Sequence, residues 1–345
     1  MELISRLRLA AGIMLRGEAK RKIRSEIPPL TPEMLAEIRL FFPREKFFIL
    51  GHARSGTTLL ARLVRLHSEV HCNWQAHFFT RPPLLKTLVS NPEVEEWLRR
   101  RSNRWNHGSD ISPLVLRAVA DFIMEREAAR EGKRIVGDKS PSSLIHGQAV
   151  RDMYAVYPDA RLVYIVRDGR DVTVSERFRN FVEESRFLTH EDKRITKALR
   201  LNQAPFTNGE RSIFTESFLR RLARSWVQNL TEIEAEGRRL YGERYFQMRF
   251  EDLLEKPHEE MSRLWKFLGV KKIDKALEGA LHDEMQANPD EEWQQKRDEI
   301  IASFLPKGQV GNWRNLFTNR DMVIFKEVAG EMLVKWGYEK GLNWE

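Results

Sequence analysis

A single cysteine, Cys72, stands among 345 residues, so no disulfide can close within the chain. That usage fits a reducing compartment, and a cytoplasmic location is expected. No zinc-finger, RNA-binding or helix-turn-helix signature is present, so the net charge of +8 is not read as nucleic-acid binding. No cluster of His, Cys and Asp stands at metal-ligand spacing, and no metal is expected. Internal repeats and low-complexity tracts are missing too. Hydrophobic content of 41% and charged content of 31% exclude a disordered chain. The basic balance then leaves a solvated surface, a polyanionic cofactor or substrate, or an anionic membrane.

The first 26 residues carry seven Lys or Arg against three Glu, with Leu3, Leu7, Ala10, Ala11 and Met14 at helical spacing. Arg6, Arg8 and Arg16 interrupt the apolar stretch, which excludes a membrane-spanning helix and a clean signal peptide. A packed terminal helix and a helix lying on a membrane surface both fit. Residues 1–42 are set apart as a basic helical segment and linker, and residues 43–345 as one domain.

What the chain does contain is a loop. The apolar run from Lys46 to Leu50 stops at Gly51, and Thr57 opens a helical pattern through Leu59, Leu60, Leu63 and Val64. Between them Gly51-His52-Ala53-Arg54-Ser55-Gly56-Thr57-Thr58 spells a phosphate-binding loop with one change. A nucleotide triphosphatase has lysine where this chain has Thr57. Backbone N–H groups and the positive end of the following helix still suit a phosphate. The cation is Arg54, inside the loop, which suits a 5′-phosphate bearing a further group better than ATP hydrolysis.

Further apolar runs follow at Glu69–Cys72, Arg134–Gly137, Arg161–Arg167 and Tyr245–Phe250. They alternate with helical patterns, notably Ser112–Arg130, Phe218–Leu240, Pro257–Leu268 and Asp321–Trp336. Such alternation predicts an α/β fold: a P-loop-type, mostly parallel sheet flanked by helices. Residues 80–132 and 180–215 read as helical insertions, the second as a polar lid. Ligands in such sheets bind at the carboxyl ends of the strands. Arg54–Thr58, Asp138–Pro141 and Arg167–Asp171 all follow strands and are expected to converge there.

Arg167 closes a strand, and Ser175 stands eight residues on in the next helix. A guanidinium and a hydroxyl so placed can clamp a second phosphate. Lys307-Gly308-Gln309-Val310-Gly311-Asn312-Trp313 adds a cation among glycines. Asp168 and Asp171 read as helix caps, Trp226 and Trp265 as core, and Trp313 as core or an adenine-stacking ring.

Together these segments, over roughly residues 45–320, resemble the sulfotransferases that use 3′-phosphoadenosine 5′-phosphosulfate (PAPS). Gly51–Leu60 is similar to their 5′-phosphosulfate loop, and Arg167 with Ser175 to their 3′-phosphate site. Lys307–Asn315 is similar to a K-G-x-x-G-D-W-K-N segment of the cytosolic branch, with Asn312 for Asp and Pro306 where arginine is usual. Arg54 in the loop resembles the tyrosylprotein, carbohydrate and bacterial branches, and Lys139 resembles the lysine those branches set against the sulfate. Arg249-Phe250-Glu251-Asp252 resembles a Y-E-D/E-x-L segment.

The resemblance implies in-line transfer of a sulfuryl group to a hydroxyl or amine without a metal. It assigns Arg54 and Lys139 to the reacting group. Arg54, Ser55, Gly56, Thr57, Thr58, Arg167, Ser175, Lys307 and Gly308 bind PAPS. Relatives often carry a catalytic Glu at the position of Gln75, which cannot take a proton. His77 is the nearest titratable group and the expected base; His146, His107 and His52 remain alternatives. A small-molecule, glycan or lipid acceptor is expected, and Trp74, Phe78, Phe79 and Trp105 are candidates for its walls. A phosphotransferase and a catalytically idle PAPS-binding protein stay open as other readings.

Overall fold

The computed structural model describes residues 27–80, 84–102, 104–142, 147–183, 188–270, 274–287 and 310–344. The basic segment 1–26, His146, Lys307 and Gly308 lie outside the described residues.

Five strands form one sheet: β1 (Glu45–Leu50), β2 (Val70–Trp74), β3 (Ile135–Lys139), β4 (Arg161–Val166) and β5 (Tyr245–Arg249). Their spatial order is β2-β3-β1-β4-β5, and every pairing is parallel. The longer helices are α1 (Pro32–Phe41), α2 (Thr57–Arg65), α3 (Pro92–Arg99), α4 (Ser112–Arg130), α5 (Gly147–Val156) and α6 (Gly169–Glu183). They continue with α7 (His190–Leu201), α8 (Glu216–Tyr241), α9 (Pro257–Phe267), α10 (Lys275–Gln286) and α11 (Asn319–Lys335).

A parallel strand between two helical layers must be apolar on both faces. In β1, Phe48 and Leu50 enter one core, and Phe47 and Ile49 enter the other. In β4, Leu162, Tyr164 and Val166 oppose Val163 and Ile165 in the same way. The larger core is closed by α4, α5, α6, α8 and α11, and the smaller by α2, α9 and α10. Threonines start four of these helices, Thr31 capping α1 among them. Thr215 caps α8, while Thr189 with Asp192 and Thr318 with Asp321 form capping boxes on α7 and α11.

Two strands outrun their apolar patterns. β3 continues through Asp138 and Lys139 because these residues pair with Phe48 and Ile49 of β1. β2 continues to Trp74, opposite Lys139. Residues 180–215 are partly helical where described, with helices at His190–Leu201 and Ala204–Thr207, but they do not form a peripheral lid. Leu199, Phe206, Ile213 and Phe214 are buried in the larger core. Arg177 of α6 meets Asp192 of α7 at 2.7 Å, with both side chains shielded. The polar composition of the segment belongs to its outer face, where Lys193, Arg194, Lys197 and Arg200 are exposed.

Candidate active site

β1 delivers the loop to the carboxyl edge of the sheet at its centre. Gly56 has φ 83° and precedes α2 with no side chain capping the helix amides. A Cβ at this position would lie 2.1 Å from the Phe250 ring, so the residue must be glycine for space as well as conformation. Arg54, at φ 72°, also takes the left-handed region. Ser55 Oγ is buried and has no hydrogen-bond partner among the described residues. An uncapped helix start beside an orphaned hydroxyl is an arrangement for holding an anion.

The Arg167–Ser175 pair meets this loop directly. Arg54 Nε donates to Ser175 Oγ at 2.9 Å. Arg167 Nη1 donates to the Arg54 carbonyl at 3.0 Å, and its guanidinium lies 4.8 Å from the Phe250 ring centre. The Arg167 carbonyl accepts from Trp226 Nε1 at 3.0 Å, which fixes the end of β4 to α8. Phe250 thus packs against Gly56 on one loop and Arg167 on the other, a contact that no local pattern announces. Lys139, fully buried at the end of β3, donates to Thr58 Oγ1 at 3.2 Å and stands 5.0 Å from the Trp74 ring centre. Arg54, Arg167 and Ser175 are thus one bonded group, and Lys139 is bonded to the end of the same loop at Thr58.

Beyond β2 the chain turns through Gln75 and His77, each at φ 52°. Gln75 is exposed. His77 is 7% exposed, and its Nδ1 lies 2.8 Å from Thr80 Oγ1. The turn rests on Asp138, whose carboxyl is pushed up to about 6 by burial, against the opposing pull of Ser140, the Ala76 amide and Lys139. Of the other histidines, His107 is exposed on the loop before α4. His52 is buried, with Nδ1 donating to the Ala53 carbonyl at 2.9 Å and Nε2 3.2 Å from Ser225 Oγ. Burial holds its pKa below the ordinary value, opposed by the Ala53 bond.

Several expectations are revised. Asp171 does not cap α6; its two oxygens accept from the Gly311 and Trp313 amides at 2.7 and 3.1 Å. It tethers the segment that follows Lys307 and Gly308. Asp168 does cap α6, its Oδ1 accepting from the Arg170 N–H at 2.9 Å; it also pairs with the Arg170 guanidinium, which stacks 3.8 Å over Trp313. Trp313 is buried there, which corrects its reading as an adenine platform. Phe79 packs edge-on to Phe48 and Tyr157, and Phe78 is buried beside it, so both are core. Trp105 stacks on Trp97. Of the four aromatic candidates, Trp74 is the one beside Lys139. Among the described residues no group of three or more His, Cys, Asp or Glu could hold a metal ion.

A model of the sulfotransferase family matches residues 46–275. The chain belongs to the sulfotransferase family. The match includes Arg54, His77, Lys139, Arg167 and Ser175 and stops short of Lys307. This family member is 24% identical to the protein-tyrosine sulfotransferase of Drosophila melanogaster over 245 residues, 70% of this chain and 41% of that protein. It is 28% identical to protein-tyrosine sulfotransferase A of Caenorhabditis elegans over 125 residues, 36% of this chain and 30% of that protein. The chain thus spans less than half the length of these curated relatives. A mouse sulfotransferase solved in complex with PAP aligns with a TM-score of 0.46 and 16% identity, covering 88% of this chain and 90% of that one.

Proposed function

We propose that this protein moves a sulfuryl group from PAPS to a hydroxyl or amine of an acceptor. The observation that carries the reading is the junction at Arg54. Its side chain bonds Ser175 and its carbonyl accepts from Arg167, so a loop suited to a 5′-phosphate and a pair suited to a 3′-phosphate share one wall.

The residues present fit PAPS. The orphaned Ser55 hydroxyl, the uncapped start of α2 and the Cβ-free approach at Gly56 suit its 5′ end. Bound there, PAPS would supply the sulfuryl group and leave as 3′-phosphoadenosine 5′-phosphate (PAP). Ser55, Gly56, Thr57 and Thr58 hold the 5′-phosphate through amides and hydroxyls. Arg167 and Ser175 hold the 3′-phosphate by charge-assisted hydrogen bonds. Lys307 and Gly308 are assigned to the same phosphate on the resemblance alone. Arg54 and Lys139 set two cations where negative charge grows on the sulfonate and bridging oxygens, which lowers the barrier. His77 is the base on the acceptor hydroxyl, since Gln75 cannot take a proton. No role is assigned to a metal.

Trp74 gives the acceptor side an exposed aromatic face beside Lys139. Small-molecule, glycan and lipid hydroxyls suit such a face, and the names of the curated relatives add the tyrosine phenol. Thermal shift tests the donor: PAP should stabilise the protein, and stabilisation by ATP–magnesium but not PAP would overturn the reading. Labelled PAPS incubated with extract should then mark the acceptor.

A further inference from the structure

Three consecutive amides turn back onto one strand end. Gln75 N–H donates to the Lys139 carbonyl at 2.8 Å. Ala76 N–H donates to Asp138 Oδ1 at 3.0 Å, and His77 N–H to Ser140 Oγ at 2.9 Å. Ser140 Oγ in turn donates to Asp138 Oδ2. Asp138 and Ser140 are 1% and 4% exposed, so water does not replace these bonds once they are lost.

The turn needs such support. Gln75 and His77 both hold φ 52°, a region disfavoured for any residue with a Cβ, and no glycine relieves either position. A carboxylate suits the task better than an amide. Two donors converge on it, one on each oxygen, and asparagine would offer an acceptor to only one of them. The same three residues, 138–140, include Lys139, whose side chain reaches Thr58 at the start of α2. One strand end therefore holds the cation on the donor side and the turn on the acceptor side.

We propose that Asp138, acting with Ser140, is a positioning residue for sulfuryl transfer: it fixes the turn bearing His77 in place relative to Lys139. The catalytic half of this inference rests on the reaction proposed above. Asp138 touches no substrate; it acts through the backbone of residues 75–77.

Asp138→Asn tests it through three readouts: hydrogen exchange of amides 75–77, PAP affinity, and formation of PAP from PAPS with p-nitrophenol as the acceptor probe. Exchange at 75–77 should rise at least about tenfold, because shielded bonds are lost. PAP affinity should stay within about twofold, since Asp138, Ser140 and residues 75–77 are assigned to neither phosphate. The kcat should fall about 10²-fold with the KM for PAPS unchanged, the expected result of misplacing a reacting group by an ångström. Ser140→Ala should lose about tenfold in kcat, and Ser140→Thr, which keeps the hydroxyl, should restore it. Unchanged exchange at 75–77, or a loss of PAP affinity equal to the loss of kcat, overturns the proposal. A wild-type protein that binds no PAP overturns the reaction and the catalytic role together. That failure is distinguishable, because exchange is read without ligand.

Discussion

The loop after β1 and the turn after β2 both force side-chain-bearing residues into left-handed backbone, and they do it by different means. Around Arg54 the loop contains part of its own relief. Gly51 and Gly56 flank it, and Ser55 N–H bonds the His52 carbonyl at 3.1 Å. Around Gln75 and His77 there is no glycine, and the bonds come from residues more than sixty positions away. The loop takes part of its support from neighbours in sequence and part from Arg167 and Ser175. Strain in the turn is relieved only when the sheet has formed. A loop of the first kind can be read from its residues, whereas a turn of the second kind exists only through its partners.

The largest effect expected is at the cations where the two regions meet. Arg54→Ala and Lys139→Ala should each lower kcat/KM by about 10³-fold, measured as PAP formation from PAPS. Next is the loop itself. Gly56→Ala adds positive-φ strain and overlap with Phe250, and should cost about 3 kcal/mol or more in urea unfolding. The turn is reached through Asp138. Its carboxyl titrates near 6 when folded but near 3.9 in an unfolded chain, so the folded state binds the extra proton between those values. Its contribution is complete below about pH 4 and is lost as pH rises through about 6, by up to about 3 kcal/mol. Asp138→Asn should flatten that part of the stability profile between about pH 4.5 and about pH 8; an unchanged slope would remove the carboxyl from the account. Arg167→Ala should weaken PAP binding about tenfold to a hundredfold by calorimetry, and unchanged affinity would contradict the 3′-phosphate assignment. The smallest effect sharpens the comparison. Gly132, at φ +65° with nothing within 4 Å of the methyl that alanine would add, should lose only about 1 kcal/mol on that change. The difference from Gly56→Ala isolates the Phe250 contact.

Strands β1 and β4, the Gly51–Thr58 loop and the Arg167–Ser175 spacing were legible because each is written in consecutive residues. Periodicity marks a strand buried on both faces, and two glycines mark a tight turn. The links between those pieces were not. Nothing local to Phe250 says that it fills the space under Gly56, and nothing local to Thr58 names Lys139 as its partner. Asp171 looks like a helix cap in sequence, yet it binds amides 140 and 142 positions away. Trp313 has the composition of a nucleotide platform, but Arg170 covers it. The ends of β2 and β3 were cut short for the same reason. Trp74 and Lys139 are kept extended by each other's strand, not by apolar character.

Trp74 also makes the site observable. Among the described residues Trp226, Trp265, Trp313, Trp336 and Trp344 are buried, and the exposed Trp97 and Trp105 lie against each other at 4.9 Å. Trp74 is 46% exposed, with the Lys139 ammonium 5.0 Å from its ring. Indole emission responds to nearby charge, so an anion arriving at Lys139 would change the colour and the iodide quenching of this one fluorophore. The chain thus carries an intrinsic optical reporter at the point where donor and acceptor would meet, and Trp74→Phe supplies its blank.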